Sequence, residues 1–325
     1  ILKNMDWGIL VCVIVLLAVG LVALFSATQG SDYEEFKKQI MWLAISIPIM
    51  LILIFIDYNT ISKISPILYV IMLISLVAVL FTKSVNGATS WFNIGSISIQ
   101  PAEFAKVIVI ITLSTYISKI QEKGKDQISR PTRLLVALII VAVPVLLIVK
   151  QPDYGTAITF VIATIFILFT AGIKKRYIIT GILLTVILLP TLYFFVLPEH
   201  AKTRIDVFLN PNLDPRGAGY NVIQSKLAIG AGEFLGMGVL KGNQTQLGFL
   251  YPKTTDFIFA VVGEEMGFII AATVIITYVV LITRTVFIAK TAKNNLGSYI
   301  SIGIAGIFLF HMAENIGMTM GLLPI

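Results

Sequence analysis

The sequence has little charge and a single cysteine. Only 13% of its 325 residues are charged, whereas 57% are hydrophobic. An average soluble domain has about 25% charged residues, so this composition excludes an ordinary soluble protein. The lone Cys12 excludes an internal disulfide, and its place inside an apolar run makes it most simply a small core residue.

Long apolar runs take the place of charge. Runs of about 18 or more apolar residues are typical of membrane-spanning helices, and the pattern predicts nine of them. The predicted spans are 7–28, 38–56, 65–83, 101–120, 131–150, 154–172, 174–197, 257–286 and 297–320. The first is too long for a signal peptide's apolar core and is expected to be retained. The predicted fold class is an all-α integral membrane protein, a polytopic helical bundle forming one membrane domain over 1–325.

A long polar segment, residues 198–256, separates the seventh and eighth predicted spans. Residues 203–211 and 219–230 have the pattern of short amphipathic helices, which suit a membrane interface. The glycine-rich run 230–248 has two interpretations. It forms either turns between such helices or a backbone floor beneath an extended or phosphorylated ligand.

Lysine and arginine in the short loops predict the orientation. Thirteen of these residues lie on one side of the predicted bundle and four on the other. The thirteen are Lys3, Lys63, Lys119, Lys123, Lys125, Arg130, Arg133, Lys174, Lys175, Arg176, Arg284, Lys290 and Lys293; the four are Lys37, Lys38, Lys83 and Lys150. Basic loops favour the cytoplasm, so we expect a cytoplasmic N-terminus and an extracellular loop over 198–256. The net charge of +7 therefore needs no nucleic-acid partner.

Three carboxylates stand out in the stretch Tyr251–Gly267. Asp256 lies where the polar segment turns into an apolar helix, and Glu264 and Glu265 follow inside that helix. A charge in hydrocarbon costs at least about 3 kcal/mol, so such residues mark function or pairing. Asp256 suits a general base that takes a proton from a hydroxyl, and it equally suits an N-cap of the eighth helix.

Other polar residues in apolar surroundings have competing interpretations. Glu103 and Lys106 lie three apart on one helix face, as a structural ion pair or as a site for a phosphate. Arg204 is either a phosphate ligand or a solvated residue. Asp153 precedes the sixth span as a cap would. His311 lies near Glu314, but a metal site there would need further ligands, so hydrogen bonding between helices is favoured.

Four motifs carry a family resemblance. They are residues 91–106 (WFNIGSISIQPAEFAK), 151–156 (QPDYGT), 224–230 (QSKLAIG) and 255–265 (TDFIFAVVGEE). In sequence and order they resemble the SEDS proteins of shape, elongation, division and sporulation, and the chain is most similar to the elongation type. One departure is Thr255, where many relatives have histidine. The family has ten spans, so the resemblance implies a tenth helix and an outer loop after Ile325.

The resemblance implies a bacterial peptidoglycan glycosyltransferase that polymerises lipid II by an inverting transfer. Asp256 matches the family's essential aspartate. The further candidate site residues, expected to bind substrate, are Glu103, Lys106, Arg204, Gln224, Ser225, Lys226, Thr255 and Glu264. No tightly bound cofactor is expected, although a divalent cation, Mg²⁺ or Mn²⁺, would suit the leaving diphosphate. The implied partners are lipid II, undecaprenyl-linked glycan and a class B penicillin-binding protein in the bacterial cell membrane.

Other classes of function remain open at the level of sequence. A transporter or flippase of the lipid-linked precursor would also place charges within the membrane. A scaffold for a cell-wall complex would make Asp256 dispensable, and a division-type polymerase would share the same motifs. The small-residue run 297–306 would permit close helix contact with a partner.

Overall fold

The structure, a computed structural model, describes residues 5–82, 89–95, 97–195, 202, 206–210, 213–214 and 217–323. Nine helices of at least 17 residues occur within these ranges, each overlapping one predicted span. They are α1 (Trp7–Ala27), α2 (Glu34–Phe55), α3 (Tyr58–Val79), α4 (Pro101–Gln121), α5 (Pro131–Val149), α6 (Tyr154–Thr170), α7 (Lys175–Phe195), α10 (Ile258–Thr291) and α11 (Asn295–Thr319).

Six of these helices are long and apolar enough to cross a membrane, judged by length and composition over the described residues. They are α1, α2, α3, α5, α10 and α11, whereas α6 has only 17 residues. The exposed faces agree with lipid surroundings. None of the residues of α2 is buried, and its Ile52 and Phe55 are 60% and 71% exposed. A helix that is apolar all round and exposed fits a membrane span. The number nine stays a prediction.

Helix starts follow from capping chemistry. The carboxylate of Asp6 accepts hydrogen bonds from two backbone N–H groups of α1, and Asp153 accepts one from Thr156 N–H at 3.2 Å in α6. The prediction that Asp153 caps the sixth helix is therefore confirmed. Pro101 and Pro131 occupy the first positions of α4 and α5, where a missing N–H is harmless.

Short elements lie between the long helices. Strands β1 (Phe92–Ile94) and β2 (Ile97–Ile99) form an antiparallel hairpin in which Phe92 pairs with Ile99. In the long polar segment, α8 (Ala218–Ala231) covers the predicted helix 219–230, and α9 (Asn243–Gln246) follows the glycine-rich turns. Residues 206–209 are helical, while the rest of the predicted helix 203–211 falls largely outside the described residues.

The chain divides into two compact units. Unit 1 comprises Ile1–Phe55, Leu183–Leu281 and His311–Ile325, and unit 2 comprises Ile56–Ile182 and Ile282–Phe310. The core of unit 1 joins small residues of α1 and α8 to the beginning of α10, including Ala23, Ala228, Phe257 and Ala260. The prediction of one membrane domain with an extracellular loop stays a prediction.

Unit 2 has a tightly packed core of α3, α4, α5, α6 and the first part of α11. Leu113, Ile117 and Ile167 are completely buried in it. The glycines of α11 serve this packing, since a Cβ at Gly303 would come within 2.9 Å of Ile110 and Ile167 side-chain atoms. Small residues let helices approach closely in membranes. At Gly303 the run 297–306 therefore packs inside unit 2.

Candidate functional site

Asp256 lies in a series of turns, residues 251–257, directly before α10. Asp256 and the preceding Thr255 are exposed, whereas the following Phe257 is completely buried. The backbone is held on both sides, because Phe257 N–H donates to Pro252 O and Ile258 N–H donates to Thr255 O, both at 3.3 Å. Asp256 is thus an exposed residue on a hydrogen-bonded turn at the polar end of an apolar helix, an arrangement that suits either a base or a cap.

Ten residues into α10, the helix is broken at Gly267, which has φ 75° and ψ −177°. The glycine-rich segment pairs with the backbone on both sides of the break. Met237 and Gly238 N–H donate to Glu264 and Glu265 O at 2.9 and 3.0 Å. In return, Phe268 and Ile269 N–H donate to the carbonyls of residues 233 and 234. Non-helical backbone inside a membrane protein is tolerated only where such partners exist.

Close approach of two backbones explains the glycines. A Cβ at Gly232 would overlap the carbonyl oxygen of Gly263, and one at Gly236 would overlap that of Glu265. Gly232 has an ordinary helical φ of −73°, so space alone requires glycine there. Gly267 itself combines a positive φ with contact against the loop backbone. The glycine-rich run is therefore built to pack against α10.

Glu264 is completely buried and binds the start of α9. Its Oε1 accepts from Gln244 N–H at 2.6 Å. Its Oε2 accepts from Thr245 N–H at 3.0 Å and from the Thr245 hydroxyl at 2.6 Å. A carboxylate is favourable at a helix N-terminus, where backbone N–H groups lack helical partners. The predicted role of Glu264 in substrate binding stays a prediction; the structure gives this side chain a bracing role.

Glu265, 1% exposed, holds the neighbouring part of the same segment. Its carboxylate accepts from Leu240 N–H at 3.2 Å, Gly242 N–H at 3.3 Å and the Gln246 amide at 2.8 Å. The Gln246 amide also donates to the Ser26 hydroxyl at 2.9 Å, which ties the segment to α1. We call Glu264, Glu265 and residues 232–246 the carboxylate clamp. Six backbone N–H groups of the clamp are already bound to acceptors, which argues against a backbone floor that is free to bind a phosphorylated ligand. They belong to Met237, Gly238, Leu240, Gly242, Gln244 and Thr245.

Lys253 connects the clamp to the turn that carries Asp256. Its ammonium donates to Thr245 O at 2.7 Å. Partial burial lowers the pKa of Lys253, and the negative charges of Glu265 and Glu264 offset part of that effect. The turn three residues before Asp256 is thereby attached to the clamped segment.

The motif 224–226 lies on α8 in unit 1 and contacts the end of α11. Ser225 is completely buried and its hydroxyl donates to Thr319 O at 2.7 Å. Lys226 is exposed beside Gly321, and Gln224 is half-buried. Ser225 therefore has a structural partner, while its role in substrate binding, like those of Gln224 and Lys226, stays a prediction.

In unit 2, Lys106 pairs with Glu103 at 2.9 Å along α4. The lysine side chain is 5% exposed and the glutamate side chain 54%. Lys106 borders a small void of about 10 Å³, lined mostly by apolar residues of α4, α6 and α11 together with Thr159 and Thr164. About that much space holds one water molecule. The ion pair supports the structural interpretation, while the roles of Glu103 and Lys106 in substrate binding stay predictions.

Comparison with known proteins identifies the family. Residues 6–325 match the FtsW/RodA/SpoVE family, described as cell cycle proteins. The chain belongs to this family. It is 34% identical to the peptidoglycan glycosyltransferase MrdB of Escherichia coli over 99% of this chain and 86% of that protein. It is 35% identical to the stage V sporulation protein E of Bacillus subtilis over 98% and 88% of the two chains.

Solved structures agree with the fold of this FtsW/RodA/SpoVE protein. One, reported as "Structural coordination of polymerization and crosslinking by a peptidoglycan synthase complex", has a TM-score of 0.85 at 24% identity and covers 99% of this chain and 89% of its own. RodA of Thermus thermophilus has a TM-score of 0.70 at 22% identity, covering 97% and 85%. The predictions of family, of an all-α membrane fold and of a glycosyltransferase are confirmed.

The described residues do not test two predictions for the family site, the role of Arg204 and the divalent cation. Arg204 lies outside the described residues. Among the described residues, no three His, Cys, Asp or Glu side chains form a group able to hold a metal ion. His311 and Glu314 lie 3.8 Å apart on α11. The divalent cation and the role of Arg204 stay predictions.

Sequence reasoning missed the clamp partners of the two glutamates in this FtsW/RodA/SpoVE protein. Ser26, Thr245, Gln246 and Lys253 are common polar residues without a motif. The break at Gly267 also contradicts the prediction of one continuous span over 257–286. A signal was present, because two glutamates flanked by glycines inside an apolar run are typical of a discontinuous membrane helix.

Proposed function

We propose that this protein is a peptidoglycan glycosyltransferase that polymerises lipid II into glycan strands for cell elongation and shape. The observation that carries the proposal is the exposed Asp256 directly before α10, on a turn held by backbone hydrogen bonds and by Lys253. Relatives of similar length that are named peptidoglycan glycosyltransferases support the reaction class.

In the proposed reaction, Asp256 acts as general base on the acceptor. It takes the proton of the 4-hydroxyl of the acceptor N-acetylglucosamine, and that oxygen attacks the anomeric carbon of the growing chain's muramyl sugar. A new glycosidic bond forms as the bond to undecaprenyl pyrophosphate breaks, with inversion at the anomeric carbon. The proton ends on the Asp256 carboxyl, and the diphosphate leaves with the lipid.

The leaving diphosphate needs positive charge where negative charge builds up. The candidates from sequence are Arg204, Lys106 and the backbone amides of the glycine-rich run, together with a divalent cation, Mg²⁺ or Mn²⁺. Lys106 is already paired with Glu103. We therefore propose Arg204 as the first candidate, with Lys106 as the second. A bound divalent cation would supply charge neutralisation in the same step.

The proposed topology places this chemistry outside the cell. The bias of thirteen basic residues against four supports a cytoplasmic N-terminus, with 198–256 and Asp256 on the extracellular side. A class B penicillin-binding protein is the proposed partner, because the proposed reaction makes strands without crosslinking them. A solved structure of similar fold supports this proposal, since it is reported as a peptidoglycan synthase complex that coordinates polymerization and crosslinking.

The decisive experiment gives lipid II to the purified full-length protein, with and without that partner. Asp256→Asn and Asp256→Ala should each lower the strand yield by about 10²–10⁴-fold, because general-base catalysis contributes about that much and neither amide nor methyl can take up the proton. Glu233→Gln is the matched control, an exposed carboxylate in the same unit, and it should keep activity.

Each outcome bears on a distinct function. Normal strands from Asp256→Ala would overturn the assignment of the base. Lipid II crossing vesicles without any strands, in every variant and with the partner present, would favour a transporter. Strands that appear only from the partner, regardless of Asp256, would favour a scaffold.

A further inference from the structure

A groove on unit 2 opens between α6, the end of α10 and the start of α11. Its volume is about 500 Å³, within the range of about 300–1,000 Å³ typical of small-molecule sites. Phe166, Phe169 and Ile302 are among its apolar lining residues. Its polar lining is confined to Thr170, Lys290 and Ser298. The groove thus combines an apolar trough with one cation and two hydroxyl groups.

Two of the polar lining residues, Thr170 and Ser298, each adjoin a residue that is hydrogen-bonded to the buried Gln121. The Gln121 amide donates to Ala171 O at 2.8 Å and to Lys125 O at 3.1 Å, and the Tyr299 hydroxyl donates to the Gln121 amide oxygen. Ala171 follows Thr170, and Tyr299 follows Ser298 in the chain. The network therefore holds both hydroxyl residues at the same level of unit 2.

This end of unit 2 is strongly basic. Residues 56–64, 118–133, 171–176 and 290–294 carry eleven Lys and Arg against three Asp and Glu. Contacts hold these segments at one end: Lys174 N–H donates to the Ser129 hydroxyl at 3.1 Å, and the Tyr58 hydroxyl donates to the Asn294 amide oxygen at 3.3 Å. The groove also meets the first turn of α11, the positive end of that helix dipole.

We propose that this groove binds one anionic phospholipid of the surrounding membrane. An acyl chain lies along the apolar trough, and the phosphate accepts hydrogen bonds from Lys290, Ser298 and Thr170. Charge complementarity selects an anionic over a zwitterionic headgroup, since a basic pocket between membrane helices on the cytoplasmic side attracts anionic headgroups. In the proposed topology Lys290 is cytoplasmic and Asp256 extracellular, so this lipid is neither donor nor acceptor of the reaction.

The test uses the purified full-length protein in a neutral detergent. It is titrated with phosphatidylglycerol or phosphatidylcholine carrying the same acyl chains, and bound lipid is counted by native mass spectrometry. Wild type should retain one phosphatidylglycerol in preference to phosphatidylcholine. Lys290→Gln should weaken that binding about fivefold, since one lysine near an anionic headgroup contributes about 1 kcal/mol. Ser298→Ala should weaken it in the same direction, through the loss of one donor.

Lys293→Gln is the matched control, because Lys293 lies three residues away at the same basic end but does not line the groove. It should bind phosphatidylglycerol as wild type does. Equal retention of the two lipids by wild type would overturn the proposal. Equal weakening by Lys290→Gln and Lys293→Gln would also overturn it, since general attraction to the basic end would then suffice. Thermal unfolding of each variant checks that it is folded. If Lys290→Gln does not fold, Ser298→Ala still tests the groove.

Discussion

Lys106 in unit 2 and the Glu264–Glu265 pair in unit 1 are all nearly inaccessible, but their partners come from very different distances along the chain. Lys106 pairs with Glu103 one helical turn away, and that glutamate is half exposed. The two buried glutamates instead bind backbone and side chains about 20 residues earlier, and Glu265 is linked to Ser26 through Gln246.

The difference shows two ways of keeping charge inside an apolar protein. A local pair neutralises charge within one helix and leaves the fold around it unchanged. The clamp uses buried charge to hold a segment in place, because carboxylates accept several hydrogen bonds at once. Removing a clamp glutamate should therefore disturb the fold more than removing Glu103, and the following predictions test that ranking.

The largest effect is expected for Glu264→Ala. It leaves the N–H groups of Gln244 and Thr245 and the Thr245 hydroxyl without their acceptor in a buried site. Breaking a buried charged interaction on one side costs about 3–5 kcal/mol. Equilibrium unfolding in detergent measures the loss. Glu233→Ala is the control, because the Glu233 side chain is exposed and its contact with α10 is made by the backbone carbonyl. Equal stability of the two variants would contradict the bracing role of Glu264.

Gly232→Ala should cost slightly less, about 3 kcal/mol, because its Cβ overlaps the Gly263 carbonyl and a backbone atom cannot move aside easily. The control is Gly230→Ala, two residues earlier in α8, where a Cβ meets nothing within 4 Å. That control should be neutral or stabilising by up to about 1 kcal/mol, since alanine favours helix more than glycine. The comparison fails if both substitutions change the unfolding midpoint alike.

Glu103→Gln should have a smaller effect, about 1 kcal/mol, because the exposed glutamate is partly screened by solvent. Replacing both members, as Glu103→Gln with Lys106→Met, should recover stability, since a paired charge can be exchanged for apolar contacts at little cost. A double variant that keeps the stability of wild type but loses strand yield would instead support the phosphate interpretation of Lys106.

The smallest effect concerns pH. Burial lowers the pKa of Lys253 below its usual 10.5, so the folded state binds this proton less tightly than the unfolded state does. The stability of wild type should therefore rise relative to Lys253→Met as pH increases through the window between the folded pKa and 10.5. Lys241→Met, at an exposed lysine, should show no such divergence. Parallel pH profiles for Lys253→Met and wild type would contradict the shift.

Features set by neighbours in the chain could be predicted from the sequence. Apolar runs predicted the nine long helices, Asp153 was predicted as a cap, and the spacing of Glu103 and Lys106 predicted their pairing. Each of these depends on contacts within one or two helical turns. The family motifs added the reaction class, which no spacing argument could supply.

The rest depends on contacts between distant segments. Nothing near Glu264 in the sequence specifies Thr245, and nothing near Gly232 specifies Gly263, because these contacts form only when the loop returns to α10. The sequence of the glycine-rich run favoured turns but also allowed a ligand floor, whereas in the structure its amides are bound to carboxylates and backbone carbonyls. Such partners follow from the three-dimensional path of the chain.

The break at Gly267 has a consequence for biogenesis. As α10 enters the bilayer it carries two glutamates and, around the break, backbone groups that hydrocarbon cannot satisfy. Residues 232–246, which satisfy them, precede α10 in the chain and are synthesised first. Stable insertion of α10 should therefore be coupled to docking of residues 232–246, which have already crossed the membrane in the proposed topology. The polar groups of α10 are then satisfied by this preceding segment and not by lipid.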